Sequence, residues 1–465
     1  MKAALMRPRQ SETPAAVAPR RPDGRISFWQ FLRLLRENAL ATYAADDFNA
    51  DCIEQRLLWR RNFVVNDPDA IRHVLVDNAG NYTKSELARR LLEPGLGRGL
   101  VTSEGETWRR HRRIMAPAFD PRSVAGYAPI MTEVAQELLA RWDALPDQSE
   151  AEVAAAMTHT TLHIISRAMF SSDSDDIVDV VERGVGQYQA TVRPGLLDLL
   201  HFPLWLTRLL SPRRAVGTLN EFDQMVDRLI SARSRQPENG PKDLLTRLIA
   251  ARDGTTGGGM NAKEVRDQVV TIFMAGHETT AQALSWTWYL LSEHPSAEAK
   301  LHDELAKVLA GRTPSHEDLA DLRYTRMVLE ESMRLYPPAH TLAREAIAPD
   351  EVGGHYVPAH AAVLIVPWLL HRKPSLWERP DCFEPERFLS ERASARPRFA
   401  YIPFGAGPRI CIGAAFAMEE AMLVLATIAQ RYRLRLKPGH PVEPQGLITL
   451  RPRYGLRMVL ERRAI

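Results

Sequence analysis

The sequence predicts a mostly α fold with a small β part, a single large domain built around one long central helix. Three observations carry this reading. Helical patterning dominates from Asp67 to about Pro337. The stretch from Asn261 to Leu291 is patterned as one helix of some 30 residues, roughly 45 Å long, which is about the width of a domain this size. Such a helix must cross the core rather than coat it. Short β-branched runs, such as "FVVN" at Phe63 and "AAVLIVP" at Ala361, occur only toward the two ends of the chain.

Composition narrows the class further. Of 465 residues, 45% are hydrophobic and 25% charged, an ordinary globular balance with ample material for a core. Lys plus Arg (60) nearly balances Asp plus Glu (57), which argues against a nucleic-acid partner. Three scattered cysteines, Cys52, Cys382 and Cys411, make no disulfide framework and fit a reducing, cytoplasmic compartment. Residues 1–25 are rich in Pro, Ala and Arg and are expected to be a disordered tail, leaving 26–465 as the domain. No apolar h-region marks a signal peptide, and nowhere do about 18 apolar residues run together as a transmembrane anchor would.

The elements follow in order. "ISFWQFLRLLRENAL", from Ile26, reads as an amphipathic helix that packs on the domain rather than on a membrane surface. Ala50 to Asn66 reads as paired strands. "GTTGGG", Gly254 to Gly259, is a loop. Asn261 then caps the central helix, Glu264 closes a capping box, and Pro295 stops the helix. Helices at "SAEAKLHDELAKVLAG" and "YTRMVLEESMRLY" follow, the second ended by Pro337 and Pro338. A Pro-rich run leads to "FGAGPRICIG" at Phe404, and then to a helix apolar on most sides and so buried. The tail "ITLRPRYGLRMVLERR" reads as two strands joined by a turn.

The chemistry concentrates in "FGAGPRICIG". A cysteine acts as a soft ligand only as thiolate. Set just ahead of a helix N-terminus, Cys411 faces unpaired backbone N–H groups and the positive end of the helix dipole. Gly405, Gly407 and Gly413 let the backbone turn tightly and approach a flat group. The blander reading, an inert cysteine in a glycine-rich turn, does not account for the other fixed positions. The segment resembles the heme-binding loop of the cytochrome P-450 superfamily, Phe-Gly-x-Gly-x-Arg-x-Cys-x-Gly, with every fixed position matched. The resemblance implies a P-450-type helical domain with the long helix over a buried heme b. It makes Cys411 the axial thiolate and sole metal ligand, sets Phe404 near the sulfur, brings Arg409 to a propionate and puts Gly413 in the same loop.

Further motifs point the same way. "AGHETT", from Ala275, interrupts the central helix with residues of low helix propensity, as a sequence does where it uses the site. It resembles the family's oxygen-activation motif, which implies Glu278 and Thr279 as an acid–alcohol pair delivering protons. Thr280 reads as packing, and His277 as a neighbour of the pocket that does not ligate iron. Glu331 and Arg334 sit at i and i+3 of one helix. By resemblance they form a structural triad with Arg387 of "PERF". Trp108 and Arg112, in "WRRHRR", match a propionate-binding Trp-x-x-x-Arg, with Arg344 a looser third partner. Arg109, Arg110 and Arg113 remain, and could dock an acidic electron donor.

The activity implied is that of a heme-thiolate monooxygenase. It would use O2 and two electrons from separate partners, a ferredoxin with its reductase or a flavodoxin, to hydroxylate or epoxidise a lipophilic molecule. Peroxide-driven peroxygenase or isomerase chemistry is the alternative within heme enzymes, and a non-catalytic heme sensor the alternative outside catalysis. Keeping Glu278 and Thr279 favours the monooxygenase. Family position puts residues near Asn78 to Leu100 and Ala339 to Leu342, Thr341 and Leu342 among them, around the substrate pocket, with Ala275 and Gly276. It makes the apolar stretch Thr191 to Pro212 a lid, whose apolar side chains either face a lipophilic substrate or simply pack on the long helix. A fatty acyl chain or a terpenoid would suit such a pocket.

Overall fold

A computed structural model of the chain describes residues 16–19, 27–57, 60–171, 180, 183, 184, 198, 220–235 and 243–463. Apart from Asp198, the stretch expected to form a lid lies outside them. So does the N-terminal tail, save for residues 16–19. There the Ala16 N–H donates to Asp381 O and the Tyr336 hydroxyl donates to Val17 O, and both residues pack on the core.

The first helix, α1 (Phe28–Glu37), opens on a capping box in which Ser27 and Gln30 bond each other's backbone N–H groups. Leu32 is its buried residue, whereas Trp29 faces solvent. Next come strands β1 (Cys52–Leu57), β2 (Arg60–Val65) and β3 (Tyr82–Lys84), then α2 (Glu86–Leu96), α3 (Gly105–Met115) and α4 (Ala128–Asp143). Strand β4 (Glu150–Glu152) precedes α5 (Val153–Phe170), followed by α6 (Asn220–Arg235) and α7 (Leu244–Ala250).

The central helix, α8, runs unbroken over the 32 residues Ala262–Glu293, about 48 Å at the standard rise. Asn261 accepts from the Glu264 N–H and Glu264 reaches back to the cap, closing the expected box. Pro295 ends it and becomes the first residue of α9 (Pro295–Leu309). The expected interruption at "AGHETT" is absent as a helix break. The threonines instead bond back, Thr279 to Ala275 O at 2.8 Å and Thr280 to Gly276 O at 3.3 Å, and the i→i−4 pattern absorbs them without breaking. Helix α8 packs against α5, α6, α10 (Arg323–Leu335) and α11 (Ala414–Arg431), so it crosses the core as its length requires. Trp286, on α8, stacks on Tyr336 with ring centroids 4.0 Å apart.

The β part is peripheral. Strands β5 (Leu342–Ala346), β6 (Asp350–Val352), β7 (His355–Val357) and β8 (Ala362–Ile365) follow α10. A five-stranded sheet has the order β1-β2-β8-β5-β3, with only the β2–β8 pair parallel. After α11 come β9 (Tyr432–Leu436), β10 (Pro444–Gly446), β11 (Leu450–Pro452) and β12 (Arg457–Arg462). The expected C-terminal strands exist, but they do not pair with each other. Strand β11 pairs with β10, while β12 lies between β4 and β9. At the corner between them Gly455 has φ +69°, and a Cβ there would fall 2.7 Å from a Glu152 oxygen, so the chain turns away from β11 instead of folding back on it.

Candidate active site

The Cys411 loop is built by close packing. Gly405 and Gly407 both have positive φ, and a Cβ on Gly407 would lie 1.8 Å from Leu75 O. Only glycine lets the loop sit this tightly on the small core under the sheet. The Cys411 N–H donates to Phe404 O at 2.9 Å, closing the loop. Helix α11 begins at Ala414 with Gly413 as its cap. The sulfur is surrounded by protein yet open to an internal cavity, which is why the side chain is accessible. Burial pushes the thiol pKa up, and the Gly413 N–H and the Arg112 guanidinium pull it back down. Nearness to the helix N-terminus and the glycines does not by itself make a thiolate here.

The cavity, of about 340 Å³, lies between this loop and α8. Phe404, Arg409, Cys411 and Gly413 line it from one side, and Ala275, Gly276 and Thr279 from α8. Trp108, Arg112, Arg344 and Leu342 line it as well. Ala339 does too, whereas Thr341 does not line it, against expectation. Side chains at an edge leading into a strand alternate in direction, so Leu342 faces the cavity and the Thr341 hydroxyl pairs with His340 Nδ1 instead.

Glu278 and Thr279 are likewise not brought together. The cavity-facing sector of α8 takes in adjacent pairs, Ala275 with Gly276 and Thr279 with Thr280, so Thr280, expected only to pack, lines the cavity too. Glu278 falls outside that sector. Glu278 is 7% exposed and accepts from the Thr449 hydroxyl at 2.7 Å, on the turn between β10 and β11. Burial raises its pKa; the Thr449 bond and Arg451 oppose that rise. His277 is buried, bonded through Nδ1 to Phe273 O, and does not line the cavity.

Charge at one rim of the cavity tells most about what it holds. Lys84, Arg112, Arg344 and Arg409 gather there, and Glu104 is the carboxylate paired with Arg409. The Arg409 guanidinium also lies 4.2 Å from the Trp108 ring centroid. Burial, with Arg409 nearby, pushes Lys84 down to about 7 and Arg344 down to about 10. Burial also lowers Arg112 and Arg409. A buried cluster with this surplus of positive charge needs anions. A flat group carrying two carboxylates, set on a soft sulfur, meets that need.

Lys84 was missed from sequence. Its ammonium donates to Leu100 O at 2.6 Å and to Val101 O. Glu104 was missed too. Neither Lys84 nor Glu104 is a fixed position of a motif, and only the fold brings them to Arg409.

The structural triad is formed in full and fully buried. Arg334 grips Glu331 through Nε at 2.6 Å and Nη2 at 2.8 Å, and Arg387 Nε reaches the same carboxylate at 3.2 Å. Arg334 also donates to the carbonyls of His371, Pro380 and Cys382, and so pins the irregular run ahead of the cysteine loop. The leftover arginines are less available than expected. Arg110 pairs with Glu264 at 2.8 Å and Arg113 with Asp253 at 3.0 Å, so each half-buried guanidinium already has a carboxylate partner within the protein. Arg109 stays largely exposed, 3.5 Å from Glu106.

Residues 25–456 match the family described as Cytochrome P450. The chain belongs to the cytochrome P450 family. Cyclooctatin synthase of Streptomyces melanosporofaciens is 38% identical over 424 residues, covering 90% of each chain. Cyclooctat-9-en-7-ol 5-monooxygenase of the same organism is 35% identical, over 93% of this chain and 95% of that protein. Pentalenene oxygenase of Streptomyces avermitilis is 31% identical over 94% of each. The crystal structure of the cytochrome P450DA heme domain superposes with a TM-score of 0.82 at 26% identity, over 97% of this chain and 99% of that one. This P450 is thus a heme-dependent monooxygenase with the mostly α P450 fold. It uses O2 and redox partners and acts on a lipophilic substrate. Among the described residues no helix is long and apolar enough to cross a membrane.

Proposed function

We propose that this P450 hydroxylates or epoxidises a terpenoid, with Cys411 as the iron ligand and Thr279 as the cavity-facing hydroxyl. The observation that carries the reading is the wall over the sulfur. Leu100, Val101, Ile272, Ala275, Ala339 and Leu342 are apolar, and α8 adds the hydroxyls of Thr271, Thr279 and Thr280. Such a surface selects by shape and by exclusion of water rather than by hydrogen bonds. The names of three relatives point to terpenoid oxidation, and none of the three points to fatty acids.

Heme, when bound, supplies oxygen activation and the redox steps. The chain's own residues do the rest. Trp108, Arg112, Arg344, Arg409 and Lys84 are the proposed partners of the propionates. The Gly413 N–H and Arg112 stabilise negative charge on the Cys411 sulfur. The Thr279 hydroxyl, now donating to Ala275 O, can turn to hand a proton into the cavity, with Glu278 as the acid behind it. Glu331, Arg334 and Arg387 hold the loop in place and touch no substrate. Electrons would come from a cytoplasmic ferredoxin with its reductase, or a flavodoxin. A groove of about 740 Å³ on the outer side of the cysteine loop supports that docking. Arg398 and the apolar Val76 and Ile410 line it, with Asp69 and with Arg72 paired to Asp77 at 3.2 Å.

The test is a spectral screen of cyclic terpenes for displacement of the iron-bound water. It would be followed by turnover with NAD(P)H, ferredoxin and reductase. An oxygenated terpene is the expected product. Binding and turnover of fatty acids but no terpene would overturn the substrate class. If Thr279→Ala left product per NAD(P)H unaltered, its proton-delivery role would be wrong.

A further inference from the structure

Glu278 lies behind the cavity wall, and what holds it there is a turn rather than a cation alone. Thr449, 5% exposed, donates its hydroxyl to Glu278 Oε1 at 2.7 Å. The turn carrying Thr449 is tied on three sides. The Leu450 N–H donates to Pro338 O at 3.0 Å. His340 Nε2 bonds Leu447 O at 2.9 Å. The Trp286 indole, two turns along α8 from Glu278, donates to Leu450 O at 3.0 Å. Pro338 and Ala339 line the cavity. One rigid piece therefore touches both the substrate wall and the acid.

We infer that Thr449 is a positioning residue for oxygen activation. Its hydroxyl holds the Glu278 carboxyl turned away from the cavity, on a turn that a molecule pressing on Pro338 and Ala339 would displace. The inference rests on the acid role proposed for Glu278. A helical glutamate has a few staggered side-chain wells to choose from. The bond to Thr449 selects the well facing the β10–β11 turn, and Arg451 adds attraction from that side. Loss of the Thr449 bond would let burial push the carboxyl further toward its neutral form, which can donate a hydrogen bond. The empty enzyme would thus keep its proton source off the oxygen site, and a filled cavity would loosen the hold.

The experiment uses the heme-loaded protein with NAD(P)H, ferredoxin and reductase and no added organic substrate. Hydrogen peroxide released per minute is measured for wild type, Thr449→Val, Thr449→Ala and Thr449→Ser. A second readout is the infrared carboxyl band lost in Glu278→Gln, followed against pH. Both hydroxyl-free variants should raise peroxide release several-fold and move the midpoint of the band to higher pH, while Thr449→Ser restores both. Adding Glu278→Gln to Thr449→Val should return peroxide to the wild-type level. Wild-type peroxide release and band midpoint in the hydroxyl-free variants would overturn the inference. So would a double variant as leaky as Thr449→Val. The acid role is read separately. If Glu278→Gln alone keeps product per NAD(P)H in coupled terpene turnover, that role fails, and the positioning role with it. If Glu278→Gln uncouples turnover while the Thr449 variants change nothing, only the positioning role is lost.

Discussion

Replacing Glu331 by glutamine should cost stability out of proportion to the one atom changed. The carboxylate accepts four hydrogen bonds, two from Arg334, one from Arg387 and one from the Glu384 N–H. All three side chains of the triad are sealed from water. Removing the anion leaves two guanidinium groups buried without their counter-charge, which costs about 3–5 kcal/mol where a buried pair is broken. An unfolding entropy of about 2.1 cal/mol/K per residue gives about 1 kcal/mol/K for a chain of 465 residues. The melting temperature should therefore fall by only about 3–5 °C, so calorimetry on the heme-loaded protein is the suitable assay. The control is the exposed Arg33–Glu37 pair, 2.9 Å apart and i,i+4, where Arg33→Ala should cost at most about 0.5 kcal/mol. Because Arg334 also holds the His371, Pro380 and Cys382 carbonyls, Glu331→Gln should release heme earlier on warming. A melting temperature within 1 °C of wild type (about 1 kcal/mol by the same scaling), with heme retention unchanged, would refute the idea that this triad braces the loop.

Two further outcomes test the loop and the cationic rim. Gly407→Ala places a Cβ against a backbone oxygen at positive φ and should cost roughly 2–5 kcal/mol with loss of heme. Gly413→Ala, where nothing lies within 4 Å, should be close to neutral in thermal unfolding. In the heme-free protein Lys84 is pushed down to about 7, so between about pH 7 and 10 the unfolded chain binds a proton the folded one does not. Stability of the heme-free protein should therefore rise with pH across that window through this group, and Lys84→Met should flatten the rise in denaturant titrations. Heme propionates would restore the lysine's charge, so the heme-loaded protein should show less of this slope. Equal slopes in all three would contradict the rim's assignment.

Some of this was legible in the sequence because the determinants are local. Asn261, Glu264 and Pro295 mark the ends of α8 within a few residues of where it starts and stops, and the fixed positions around Cys411 lie within ten residues of one another. The triad was legible only through resemblance, since Arg387 is 56 residues from Glu331 and nothing in its spacing points there. What stayed hidden depends on direction and on long-range packing. Strand alternation separates Thr341 from Leu342, whereas Glu278 falls outside the cavity-facing sector of α8 through the way that helix is set against its neighbours. Strand partners could not be read from "ITLRPRYGLRMVLERR", because β12 is claimed by β4, some 300 residues earlier in the chain. Lys84 and Glu104 are single charges in unremarkable surroundings, and only the fold gathers them at Arg409. Arg110 and Arg113 looked like a docking face until α8 and its preceding loop supplied Glu264 and Asp253.

The account rests on iron held by one sulfur. The direct measurement is the absorption spectrum of the reduced protein under carbon monoxide, for wild type and Cys411→Ser. Wild type should show the long-wavelength band of thiolate-ligated heme, and Cys411→Ser should lack it while Cys52→Ser and Cys382→Ser keep it. A Cys411→Ser protein that retains the band, or a wild type that binds heme without it, would contradict the assignment of Cys411 and the chemistry built upon it.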